Sequence, residues 1–486
     1  MKILVIHEQK KLQISLWIFN TKWSESLNFI SPIFWIIILF FYVIWRFFIS
    51  NKYNSIFLLI ISSIIYSIFY PLHTLNIIIV SIFTYLLNKN NNLSLRLISI
   101  ILNISHLLFY KYHELIFPDN LSFSSPSYDL VIPVGISFYT FQNLSYIFDL
   151  HRNKVKNYKC YSDYLLYITF FPQLVAGPIV RSNFFVSQLR SLRKNHKFFF
   201  WGGIERIIHG LFLKLVVADN IAVLMNDKWD KTYYWENGSD LPFCLIIAFG
   251  CQIFGDFAGY SLIAIGLALL FGFVLPRNFR SPYIACSLSK FWQRWHRTLS
   301  KWILDYLYIP LGGNKNPKIN ICILLVIVML ISGLWHGNTL SFGLWGALHG
   351  IALIIDRYIL ETKIRITKNT IVKKTYKISQ VIFCFVTVMT LWIFFREQNV
   401  FLALHTLRSL LIGEFSIPRI YNLFSAYPLS FYAILIVITW HIFGYLRNYK
   451  GYSQLRLLDR ILLSLFFITN CIFVPGNSTE FIYFRF

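Results

Sequence analysis

The run Ile319-Asn320-Ile321-Cys322-Ile323-Leu324-Leu325-Val326-Ile327-Val328-Met329-Leu330-Ile331-Ser332-Gly333-Leu334-Trp335-His336-Gly337 decides the fold of this chain. The sixteen residues from Ile319 to Leu334 carry no charge, and a Trp-His pair closes the run. A stretch of that length and apolarity suits the hydrocarbon core of a bilayer. An imidazole at its end is costly without a partner or a task, and histidine is the side chain best suited to move a proton near neutral pH. His336 is therefore the first candidate for chemistry, although a histidine hydrogen-bonded to a neighbouring helix would also fit the position.

Working outward, 56% of the 486 residues are hydrophobic and 48 are Phe. The mean hydropathy is +0.57. That is more apolar surface than one or two soluble cores could bury, so the composition excludes a soluble protein. Apolar stretches of roughly 15 to 30 residues recur from about residue 28 to 476, which predicts about ten to thirteen spanning helices. The chain reads as an all-α polytopic transmembrane bundle. Residues 28–486 form a single membrane domain, after a charged segment at 1–27 that lacks the pattern of a removable signal peptide. The formal charge of +24 (45 basic minus 21 acidic) belongs to loops facing anionic lipid, and no nucleic acid is expected. Seven scattered cysteines show no metal-type spacing, so no metal site is expected.

The basic loops are 89–96, 151–159, 181–197, 277–318, 357–377 and 447–460, and these face the cytoplasm by the positive-inside rule. Loops without that bias are 71–76, 117–130, 226–240, 337–341 and the tail after Pro475. The two sets alternate if residues 163–178 and 282–313 enter the membrane without crossing it, which predicts two re-entrant or interfacial segments. His336 then lies nearer the outer leaflet, about 27 Å along its helix from Lys318, and a tilt or break would bring it deeper.

Ser289-Lys290-Phe291-Trp292-Gln293-Arg294-Trp295-His296-Arg297-Thr298-Leu299-Ser300 gathers three cations, a histidine and two Trp beside Trp302, Asp305 and Tyr308, then meets a break at Gly312-Gly313. This is the pattern of an amphipathic helix at the headgroup level, for which plain anchoring is an equal reading. His349, in Trp345-Gly346-Ala347-Leu348-His349-Gly350, repeats the vocabulary around His336 and is read as a packing or supporting residue. Asp256, in Phe254-Gly255-Asp256-Phe257-Ala258-Gly259, is an acid in an apolar run. It must face the interior, water or a partner, and either orients a base or pairs with a cation from a basic loop.

Val131-Ile132-Pro133-Val134-Gly135-Ile136-Ser137-Phe138-Tyr139-Thr140-Phe141-Gln142 and Phe170-Phe171-Pro172-Gln173-Leu174-Val175-Ala176-Gly177-Pro178 resemble the membrane-bound O-acyltransferase family. The branch looks like that of the alginate O-acetylation membrane subunit and its relatives in peptidoglycan and exopolysaccharide acetylation. The likeness continues through Asp256 to Phe273, Phe291 to Gly313 and Ser332 to Gly350, so its strong motifs span about 130–350. It implies helices around a central funnel, with His336 of the Trp335-His336-Gly337 motif catalytic and His296 as the second family histidine. Leu304, Leu262 and Asn338-Thr339-Leu340-Ser341 depart from the branch pattern, which bears on substrate or partner preference.

Acyl transfer from a thioester to a hydroxyl needs a base, stabilisation of an oxyanion and exclusion of water. His336 is the candidate base, with Trp335, Asp256, Asp305 and His349 in support. No Gly-x-Ser-x-Gly elbow supports a serine route. Arg294 and Arg297 are placed to meet the phosphates of a cytoplasmic donor such as acetyl-CoA or another acyl thioester, with no bound cofactor. The resemblance implies a bacterial inner membrane, a separate extracytoplasmic acyltransferase partner and a glycan acceptor reached directly or through that partner. Two rivals stand beside it. One is D-alanyl transfer from a carrier protein to teichoic acid; the other is a non-enzymatic glycan transporter, for which only hydropathy argues.

Overall fold

A computed structural model describes residues 29–116, 132–174, 177–194, 199–229, 241–360, 370–412, 416–449, 457–476, 479 and 482. The charged segment 1–27, the loop 117–130 and most of the loop 226–240 lie outside the described residues. Among the described residues the architecture is helical throughout and contains no strand. In hydrocarbon every backbone polar group must be satisfied within the segment, and the helix does that alone.

Six described helices are long and apolar enough to cross a membrane: Pro71–Lys89, Leu93–His113, Phe200–Lys228, Pro242–Leu270, Lys318–His336 and Thr375–Arg396. A seventh is reached if Ile417–Ala426 and Pro428–Gly444, bent by 104°, count as one broken span. The other apolar stretches form shorter helices, such as Pro32–Phe48 with 17 residues and Asn54–Phe69 and Leu340–Ile355 with 16 each. At 1.5 Å per residue these reach about 24–26 Å, a little short of a typical hydrocarbon core.

The hub is the helix Leu241–Leu270, apolar on all sides and 94% buried along its most apolar stretch, whereas Leu93–His113 is 17% buried. A helix hydrophobic all round belongs in the middle of a bundle. Phe200–Phe212 packs antiparallel on the hub at two glycine pairs, Gly203 with Gly266 and Gly210 with Gly259, where any Cβ would strike the opposing backbone. Small residues let membrane helices approach to backbone contact. Large apolar side chains such as Phe47, Phe48, Leu72, Ile319 and Phe401 stay exposed. In a bilayer these face lipid at no cost.

Both segments expected to enter without crossing are broken into short pieces. The first comprises Tyr161–Thr169 and Phe171–Leu174. The second comprises Pro282–Ile284, Leu288–Trp292 and Arg297–Ile303, continued by a wider turn over Leu304–Tyr308. The Ile179 amide donates to the Thr298 hydroxyl at 3.0 Å, joining the two segments.

Candidate active site

His336 is the last residue of the helix Lys318–His336. That helix forms a hairpin with Leu340–Ile355, and the two backbones touch where Gly333 faces Gly346. The hairpin fixes the imidazole among aromatic rings, with centroids 4.7 Å from Trp335, 5.2 Å from Trp345 and 5.2 Å from Phe395. The Trp335 indole stacks on Phe141 at 5.1 Å, and Phe141 stacks on Trp302 at 4.0 Å.

His296 also lies against Trp335, 6.3 Å between ring centroids, with Phe257 edge-on at 4.6 Å. Phe257 sits near the middle of the 30-residue hub helix, so the Trp335–His336 end of its own helix reaches the interior of the bundle.

The backbone at His296 is left-handed, with φ 38° and ψ 51°. A non-glycine residue there carries strain on the order of 1 kcal/mol or more, tolerated only when the surroundings enforce it. Residues 278–280 do so from both sides. The Arg280 amide donates to the Arg294 carbonyl, and the Arg297 amide to the Asn278 carbonyl, both at 3.0 Å. The Thr298 hydroxyl donates to Asn278 Oδ1 at 2.6 Å. His296 itself is buried, and neither ring nitrogen has a hydrogen-bond partner among the described residues.

The kink turns His296 inward and leaves Arg294 and Arg297 on the wall of a cavity of about 1470 Å³. Arg181, Arg277, Arg280, Lys290, Lys301 and Arg357 also line it, and among the described residues no carboxylate is part of the lining, although Asp305 pairs with Arg181 at its edge. Burial first, then the neighbouring Arg280 and Arg277, hold the Arg297 guanidinium below its ordinary range. A guanidinium stays cationic under such a shift, so the wall is a concentrated positive field suited to phosphate oxygens. Val328, Met329 and Ser332 are also part of its lining. Ser332 stands one helical turn before His336, about 6 Å along the axis.

Residues 37–397 match the profile of the membrane-bound O-acyltransferase family. The chain belongs to that family. It is 31% identical over 381 residues to a probable alginate O-acetylase of Pseudomonas putida, covering 74% of this chain and 76% of that protein. It is 32% identical over 426 residues to a peptidoglycan O-acetyltransferase of Helicobacter pylori, covering 80% and 75%. A teichoic acid D-alanyltransferase of Streptococcus thermophilus is 28% identical over 249 residues, covering 49% and 59%. The chain is thus a multi-pass membrane O-acyltransferase.

Within this acyltransferase the expected site residues fall into two groups. His336, His296 and Trp335 come together, with His349 one ring away, its imidazole 5.0 Å from Trp292 and 4.9 Å from Trp345. Asp256 and Asp305 lie elsewhere. The Asp256 carboxylate binds Lys214 at 2.8 Å and accepts from the Ile482 amide at 2.6 Å, so its cation comes from the span Phe200–Lys228 and not from a basic loop. Asp305 pairs with Arg181 on the cavity wall. Sequence reasoning missed Lys111 and Tyr112, whose side chains reach the end of the His336 helix. A lysine fifteen residues into the apolar run 96–115 was the available signal.

Proposed function

We propose that this acyltransferase takes an acetyl group from acetyl-CoA on its basic, cytoplasmic side and passes it to a hydroxyl bound on the outer side of His336. The acceptor in this reading is an extracytoplasmic polysaccharide or cell-wall glycan, reached through a separate acyltransferase partner. The observation that carries it is the cavity whose described lining combines eight cationic side chains with Ser332, one turn from the buried His336. The names of the O-acetylase relatives support the choice of acetyl.

The acceptor hydroxyl gives its proton to the His336 imidazole as its oxygen bonds to the thioester carbonyl carbon. The Trp335 indole N–H, without a hydrogen-bond partner among the described residues, is a donor for the oxyanion that develops. The C–S bond then breaks, and the thiolate takes the proton back from the imidazolium. The products are an ester and a free thiol. The surrounding rings keep water, the competing acceptor, out of the site.

Likeness to teichoic acid D-alanyltransferases favours D-alanyl transfer from a carrier protein as the second reading. The test is the ester-linked material that mild base releases from envelope glycans of cells making the wild type or His336→Ala at equal membrane levels. Acetate present with wild type and lost with the variant is the expected result, a drop of about 10²- to 10⁴-fold. Acetate unchanged in the variant overturns the assignment of the base, and release of D-alanine in place of acetate selects the second reading.

A further inference from the structure

We propose that Lys111 and Tyr112 are positioning residues for His336, acting as a clamp on the end of its helix. The last carbonyls of any helix lack intrahelical donors. Here two consecutive side chains from the helix Leu93–Ile116 reach four of them. Lys111 Nζ donates to the Trp335 carbonyl and lies 3.3 Å from the His336 carbonyl. The Tyr112 hydroxyl donates to the Leu334 carbonyl at 2.8 Å and lies 3.4 Å from that of Gly337. The ammonium also stands 5.7 Å over the Trp335 ring, which both His336 and His296 approach.

Three features argue that the clamp serves the reaction and does not merely finish a helix. Lys111 is 7% exposed and forms no ion pair among the described residues. Among the described residues its company is carbonyl oxygens and an indole, and burying a donor of this size at a helix end is expensive unless its position matters. The partners are also more than 220 residues apart in sequence, so the contact ties the N-terminal helices to this one helix end. Finally, the carbonyls held are those of Trp335 and His336 themselves, so any slack appears directly as rotation or translation of the imidazole. A misplacement of about 1 Å at a reacting group costs on the order of 100-fold in rate.

This inference rests on the acyl-transfer reading for its catalytic consequence but not for the clamp itself, and the experiment separates the two. Purified wild type, Lys111→Met, Lys111→Arg and Tyr112→Phe are compared by amide hydrogen exchange over residues 331–341 and by acetyl transfer from acetyl-CoA. Lys111→Met is expected to exchange faster there and to lose about 10- to 100-fold in kcat with the donor KM unchanged. Lys111→Arg, which keeps the charge and the donors, recovers most of both. Tyr112→Phe gives a smaller change of the same kind and serves if Lys111→Met does not fold. Unchanged exchange in Lys111→Met, or in Tyr112→Phe should the former not fold, overturns the clamp. Faster exchange with unaltered kcat overturns its role in catalysis. If the wild type transfers no acetyl group, the functional reading falls and the exchange result alone decides the clamp.

Discussion

Two adjacent residues of the hub helix, Asp256 and Phe257, look into two buried polar clusters of opposite character. On the Asp256 side, Lys214 meets Asp219 and Asp256, each at 2.8 Å, with side chains almost wholly out of solvent. Thr479 donates to Asp219 at 2.6 Å, and the Thr479 carbonyl accepts from Lys214 at 2.9 Å, so the cluster ties down the C-terminal segment. On the Phe257 side, His296 has neither ring nitrogen hydrogen-bonded among the described residues, a left-handed backbone and walls of aromatic carbon. One cluster spends its polar groups on one another. The other holds them in reserve, and polar groups kept unspent in a dry site are available to a substrate.

Removing the central cation is the sharpest way to break this comparison. Lys214→Met leaves two buried carboxylates without their ammonium, a loss of about 3–5 kcal/mol of the kind that empties a membrane of folded protein. We expect the variant to fail to accumulate, read by its level in membranes and by thermal unfolding in detergent. Asp256→Asn, which keeps shape and an acceptor and removes one charge, is expected to fall between. A Lys214→Met protein that is stable but inactive would show instead that the ion cluster belongs to the chemistry.

The converse change at the other cluster is smaller in energy and opposite in kind. Asn tolerates the left-handed region better than most residues. His296→Asn should therefore hold the kink and leave the protein level and thermal midpoint near those of wild type. Acyl transfer should nevertheless fall by at least about tenfold, the lower range for a group that assists proton movement. Unfolding of this variant, or full activity in it, would erase the distinction between the two sides of the hub.

The contrast also explains what the sequence could and could not tell. The helical membrane architecture is legible because the bilayer imposes one length and one polarity on every crossing, and Ile319–Leu334 meets both. The two broken segments are legible through the bookkeeping of basic loops. His336 and His296 are legible only as motif residues, because no local pattern says that both will meet at Trp335. Asp256 is legible as a buried acid that needs a partner, but its partner Lys214 lies 42 positions away in the apolar stretch 198–222, where nothing in the sequence pairs them. Lys111 fails in the same way: its partners are backbone carbonyls, which leave no trace in side-chain chemistry.

The smallest expected effect lies at the mouth of the cavity and asks whether the held-in-reserve side receives its donor there. Arg294→Ala with Arg297→Ala removes two of the eight cations on the wall and leaves six. Because half-exposed charges are screened and the others share the load, we expect the donor KM to rise only about three- to tenfold, with kcat nearly constant. Added salt should weaken donor binding in the wild type and do so less in the double variant, since fewer fixed charges remain to be screened. Initial rates against donor concentration at two ionic strengths measure both. His296 stands between these arginines in sequence but faces the other way, so a fall in kcat would mean that the substitutions disturbed its kink. A rise in KM alone would show that the cavity and the imidazoles are separable parts of one path. An unaltered donor dependence would remove the cavity from that path and require the donor to reach His336 from another side.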